Sequence, residues 1–274
     1  MSDTPQIGFV ERLVRNDRVI VIIAVITIVA LAGIYTITGV GMNMSAFDMT
    51  AMSKPIGAPM QMGKGANWTA TYATLIALMW WVMMIAMMTP SAAPTLLLFT
   101  ALKHHRKDKQ NAVYYSGLLL AGYLIIWAVF SIIATSLQWG LETLDLISAA
   151  MMTVSSRLLA GFILLSAGLY QFSELKSACL KHCRSPAYFL SKNNRSGAFG
   201  ALMMGMHHGV YCLGCCWALM ALLFVGGIMN LYWIVGLALY VLAEKTVPFG
   251  GLFSRATGVI LIFTGTYVTF SSLS

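Results

Sequence analysis

Residues 197–220 read GAFGALMMGMHHGVYCLGCCWALM, an apolar stretch with the character of a membrane helix that carries two histidines, three cysteines and four methionines. Imidazole, thiolate and thioether are all metal ligands, and soft sulfur beside imidazole suits copper(I), zinc or iron–sulfur chemistry. A helix turns about 100° per residue. Met204, His208, Cys212 and Cys215, at i, i+4, i+8 and i+11, therefore stay on one side, and Cys216 and Met220 extend it. A lone buried cysteine or histidine is ordinarily a small hydrophobe or a satisfied core group. His207, His208, Cys212, Cys215 and Cys216 within ten positions point instead to a metal.

One helix presents its ligands along one axis and rarely completes a site. The natural complement is the apolar segment 70–99, whose centre reads MWWVMMIAMMTPSAAP. Met79, Met83 and Met87 repeat every four residues, and Met84 and Met88 repeat that interval one position on. The two stripes share one broad face. Methionine in a helix is more often adaptable packing than a ligand; the soft residues elsewhere give Met83, Met84, Met87 and Met88 the metal reading. Pro90 and Pro94 remove backbone donors and predict a kink or break in this helix.

Two further groups could pass an ion on. Segment 41–67 carries Met42, Met44, Met49, Met52, Met60 and Met62, and thioethers need no deprotonation to hold a soft monovalent ion. The alternative is a loosely packed loop of a methionine-rich chain. Segment 171–196 carries Cys179, His182 and Cys183, with spacing that lets all three share one helical turn as a transfer site. The alternative there is two reduced thiols and a surface histidine.

The elements that must position these groups follow from composition. The 274 residues are 59% hydrophobic and 9% charged, with a mean hydropathy of +0.79. Soluble domains carry about 25% charged residues, so the chain reads as an all-α polytopic transmembrane bundle, a single membrane domain. About seven spans are expected, near 19–40, 70–99, 112–136, 147–170, 198–225, 228–243 and 254–270. The first run is longer than a signal-peptide core and reads as a retained helix. Arg157 lies within the fourth expected span and calls for a counter-ion, Glu142 or Asp145.

The net charge of +8 has a topological source. With the N-terminus in the cytoplasm, all but three of the 17 Lys and Arg residues fall in cytoplasmic segments; Lys54 and Lys64 face outward and Arg157 is within a span. This is the positive-inside pattern, and it argues against nucleic-acid binding. It places the methionine loop outside and Cys179 and Cys183 inside, in what is expected to be a bacterial inner membrane. Gly197, Ala201, Gly205 and Gly209 form a small-residue line that permits close helix approach, within the chain or in a homo-oligomer.

Three motifs carry a family resemblance: W-W-x-M-M-x-A-M-M-x-P-S from Trp80, L-K-x-x-C-L-x-x-C-R-x-P from Leu175, and C-L-G-C-C-W-x-L-M from Cys212, followed by Met229-Asn230 and Glu244-Lys245. Together they resemble a bacterial family of predicted metal-binding integral membrane proteins of unknown function, over most of residues 70–248. The resemblance implies metal binding and no particular reaction. The methionine-striped helix is also similar in ligand choice, though not in topology, to eukaryotic copper-uptake channels.

The leading expectation is copper(I) capture, transport or delivery, with zinc or iron as other ions the ligands could take. Its partners would be the bilayer, the ion and a copper chaperone or membrane complex. Two alternatives stay open. Cys212-x-x-Cys215 has the spacing of a redox dithiol, which would suit a membrane thiol or metal-centred redox protein. An accessory subunit holding a structural metal would use the same ligands. No nucleotide loop, nucleophile–base motif or carboxylate pair within a span accompanies them.

Overall fold

Long apolar runs without water partners must satisfy their own backbone, and helices do so. The computed structural model describes residues 9–40, 44–53, 67–104, 111–148, 151–193 and 195–272. Its order is α1 Phe9–Thr38, α2 Ala46–Ala51, α3 Ala70–His104, α4 Ala112–Thr143, β1 Ile147–Ser148, β2 Thr153–Val154, α5 Arg157–Tyr170, α6 Glu174–Arg184, α7 Pro186–Lys192, α8 Gly197–Ala221, α9 Leu223–Gly226, α10 Leu231–Thr246 and α11 Gly250–Phe270. The chain is an all-α polytopic bundle. Five helical stretches are long and apolar enough to cross a membrane, within α1, α3, α4, the α8–α9 run and α11. Helices α5 and α6 together meet the same test but bend by 64° at their junction.

At the centre, α4 packs along α8, with α3 against α4 and α1 against α3. A second pair, α5 with α11, lies beside them, and α6 folds back onto α8. Lipid supplies little hydrophobic drive between helices, so close backbone approach carries the association. A side chain at Gly205 would run into the carbonyl of Leu119, and one at Gly122 into that of Leu202. The α8 glycine line is thus an internal surface: Gly205 and Gly209 face α4 of the same chain, whereas Gly197 faces open space. This redirects the expected homo-oligomer contact, because the residues that would meet a second copy already meet α4.

Two local expectations are corrected. Helix α3 does not break at its prolines; Pro90 and Pro94 both lie inside one continuous helix. Side-chain donors reach its backbone there, with Ser91 Oγ 2.8 Å and the Tyr123 hydroxyl 3.0 Å from the Met88 carbonyl.

The stretch expected to open the fourth span is a short antiparallel hairpin, Ile147 opposite Val154 and Ser148 opposite Thr153. Positive φ occurs at Asp145 (55°), ahead of the first strand, and at Met152 (50°), just before the second. Arg157 is consequently the exposed first residue of α5 rather than a charge deep in a helix. Glu142, one of its expected counter-ions, accepts from Trp68 Nε1 at 2.8 Å and Gln138 Nε2 at 2.9 Å.

The α4–α8 contact generates a stability prediction. Gly205→Val should lower the stability of the detergent-solubilised protein by about 1–3 kcal/mol, the usual cost of overpacking. Gly197→Val, on the open side, should be milder on that contact despite its own backbone strain at φ +77°. Paired thermal melts give the comparison.

Candidate metal centre

The three sequence motifs, far apart along the chain, meet at one place. Helix α6 turns Lys176, Cys179, Leu180 and Cys183 inward, positions i, i+3, i+4 and i+7 of a single face. That face lies on α8, whose Cys212, Cys215 and Cys216 are fully buried. Cys183 shares one buried core cluster with them, and the thiols of Cys215 and Cys216 both donate to the Cys212 carbonyl, at 3.1 Å and 2.9 Å. Cys179 sits over Gly214, where an added Cβ would come within 2.7 Å of its sulfur. The absence of a side chain at 214 is what lets α6 come this close. All five cysteines are free thiols.

Buried polar groups hold this arrangement from three sides. Lys176 Nζ lies 2.9 Å and 3.1 Å from the two Glu244 carboxylate oxygens and donates to the Cys215 carbonyl at 3.0 Å. Lys176 and Glu244 are 1% and 0% exposed. The Tyr170 hydroxyl donates to the Gly214 carbonyl. Lys245 Nζ donates to Cys212 Sγ at 3.0 Å and to Ser91 Oγ at 2.9 Å. The Tyr123 hydroxyl lies 3.1 Å from the same Cys212 sulfur. Tyr123 and Ser91 thereby tie the methionine-striped α3 to the thiols, as both also donate to the Met88 carbonyl.

The remaining sequence-derived ligands divide. Met83, Met84, Met87 and Met88 are buried in the same core cluster as the cysteines, and Met44 packs on that cluster. Met204 does not join: it belongs to a separate cluster with Leu96, Phe99 and Phe189, and its sulfur accepts the Arg195 amide at 3.4 Å. His182 also stays apart from the thiols, its ring stacked on Tyr211 at 4.2 Å and its Nδ1 2.9 Å from the Ala178 carbonyl. His207 is half-buried. His208 is buried against Tyr123 and Phe189, and its Nδ1 has no hydrogen-bond partner. Met42 lies outside the described residues.

Several groups at the centre were not singled out by ligand type: Lys176, Glu244, Lys245, Ser91, Tyr123 and Tyr170. The signal for the three charges was present. An ionisable residue beside an apolar run is a site candidate by default, but here Lys176 and Lys245 were counted as loop charges, as was Lys103. All three are buried, and Lys103 rests over the rings of Phe99 and Tyr115.

The donor set decides which ion fits. Among the described residues, no three His, Cys, Asp or Glu side chains form a metal-holding group. A structural zinc site takes four such ligands in a tetrahedron. Copper(I) is satisfied by two soft sulfurs, which a pair within Cys183, Cys212 and Cys215, buried in one core cluster, can supply.

The Lys176–Glu244 pair yields a sharp test. Removing one partner strands a buried charge, at a cost of about 3–5 kcal/mol, whereas replacing both is often neutral. Lys176→Met should therefore strongly destabilise the protein in denaturant melts, and Lys176→Met with Glu244→Leu should recover most of the loss.

Comparison with known proteins agrees with the chemistry of the centre. The family model PpoB2, described as copper chaperone, matches residues 77–268. That is well over half of the chain, and the chain belongs to this family. No curated protein and no solved structure matches it.

Proposed function

We propose that this copper-chaperone family member works within a membrane, receiving copper(I) and holding it between two thiolates of the Cys183, Cys212 and Cys215 cluster for delivery to a partner. One observation carries the reading: cysteines from α6 and α8 share one buried cluster inside the bundle, with Cys179 packed on Gly214 between Cys212 and Cys215. Two segments separated in sequence thus supply sulfur to one point, as a ligand site requires and simple core filling does not.

The thioethers of Met83, Met84, Met87 and Met88 support an approach route, since they share the core with the thiols. Exchange from thioether to thiolate runs from weaker to stronger soft ligands, so an ion arriving along α3 would settle at the cysteines. The side chains of Tyr123 and Ser91 join the two groups. The long apolar helices support a bacterial inner-membrane location, with the methionine-rich segment outward. Cys179, about one turn before Cys183 on the same face of α6, is the candidate hand-off thiol. The burial of all five cysteines favours ion holding over dithiol exchange, which needs access to a partner disulfide.

Anaerobic copper(I) titration of the purified protein against a chromophoric chelator tests the reading. The wild type should retain copper(I), with Cys215→Ser or Cys183→Ser weakening retention by about tenfold or more, the scale of losing a charge-assisted ligand contact. His182→Ala and Met204→Ala should leave it within about twofold, an energy difference below a typical hydrogen bond. A folded wild-type protein that holds no copper(I), or holds it equally well without Cys215, would overturn the proposal.

A further inference from the structure

We propose that Lys245 makes the thiol centre a valence filter, admitting a monovalent soft cation and rejecting a divalent one. The inference rests on the copper reading of that centre and concerns how it discriminates. Lys245 is 8% exposed. Among the described residues, the acceptors of its ammonium are Cys212 Sγ and Ser91 Oγ, neither a carboxylate. The other charges at the centre, Lys176 and Glu244, are already paired with each other at 2.9 Å. The centre therefore carries one positive charge beyond that pair, in contact with a candidate ligand atom.

The consequence is a count of charge. Two thiolates binding one copper(I) or silver(I) ion form a complex of charge −1, and the adjacent ammonium brings the buried assembly to zero. The same two thiolates binding zinc(II) form a neutral complex, leaving the ammonium as an unbalanced buried charge. An unpaired charge in an apolar interior is strongly disfavoured. Contact matters as well as sign, because an N–H donor aimed at a metal-bound thiolate is a charge-assisted hydrogen bond. A soft-ligand set alone discriminates poorly between copper(I) and zinc(II), since both accept cysteine sulfur. A fixed charge beside the sulfurs supplies the missing criterion. It does so only while two thiolates bind; a third would reverse the balance toward zinc. Two-sulfur coordination is therefore part of the proposal, in keeping with the lack of a three-ligand group among the described residues.

The test uses the full-length protein in detergent, with copper(I) under anaerobic conditions and zinc(II), each buffered by a competing chelator. The wild type should bind copper(I) and exclude zinc(II) from the cysteines at matched free-ion concentrations. X-ray absorption at the copper edge should report two sulfur neighbours. In Lys245→Met the ratio of copper(I) to zinc(II) affinity should fall by at least about tenfold, the scale of losing a charge-assisted contact. Lys245→Arg, which keeps the charge, should restore much of the ratio. An unchanged ratio in folded Lys245→Met overturns the filter. So do three-sulfur coordination, and zinc(II) binding at these thiols in the wild type, which need no variant to fold. If the wild type binds copper(I) through Cys215 and the ratio does not move, only the filter fails. If it binds no copper(I), the underlying reading fails.

Discussion

The buried contact of Lys176 with Glu244 and the Cys215 carbonyl fixes the geometry on which the rest of the centre depends. It joins α6, α10 and α8 through one ammonium with three acceptors. A pair so deeply buried is weak evidence for stability, because desolvation consumes much of the attraction. Its value is in register. An ammonium on α6 that must find both a carboxylate on α10 and one particular carbonyl on α8 leaves little freedom to slide or rotate. Cys183 is on the same face two turns along, so fixing Lys176 also fixes which α8 thiol Cys183 meets.

The helical packing makes that contact reachable. Gly122 and Gly205 bring α4 and α8 into backbone contact, and Tyr123, next to Gly122, is thereby pressed against Cys212. Gly214 performs the corresponding service for α6, leaving room for the sulfur of Cys179. Small residues on α8 thus serve two neighbours in succession, α4 over its first half and α6 over its second. The ligand-bearing positions occupy what lies between. The C-L-G-C-C motif joins both uses, since its glycine is a packing device and its cysteines are the candidate ligands.

Much of this was legible from residue type and period. The apolar runs gave the helical class, and the spacing of Cys212, Cys215 and Cys216 marked the helix that bears the thiols. The methionine face of α3 was also readable. Residues 171–196 were harder, because a polar connector with an amphipathic helix has the same composition whether it lies on a surface or folds back. Only the buried set Lys176, Cys179, Leu180 and Cys183 distinguishes the two, and it becomes informative once a partner groove is known. Lys245 was misplaced for a related reason: charge counting assigns lysines at helix ends to loops, whereas here the helix end itself is tucked into the bundle. Met204 shows the reverse error. It shares a helix side with Cys212, yet eight residues of rise carry it about 12 Å away along the axis, into another cluster.

The 64° bend between α5 and α6 bears on how the protein is made. Synthesis proceeds from the N-terminus, so α6 emerges before the α8 cysteines it must meet and well before Glu244 and Lys245. Until α8 is in place Cys183 lacks the α8 thiols it packs with, and until α10 follows Lys176 has no carboxylate. The centre therefore completes only when nearly the whole chain has been synthesised. A nascent chain presents the α6 and α8 cysteines apart from one another, and the cluster they form comes into being already enclosed.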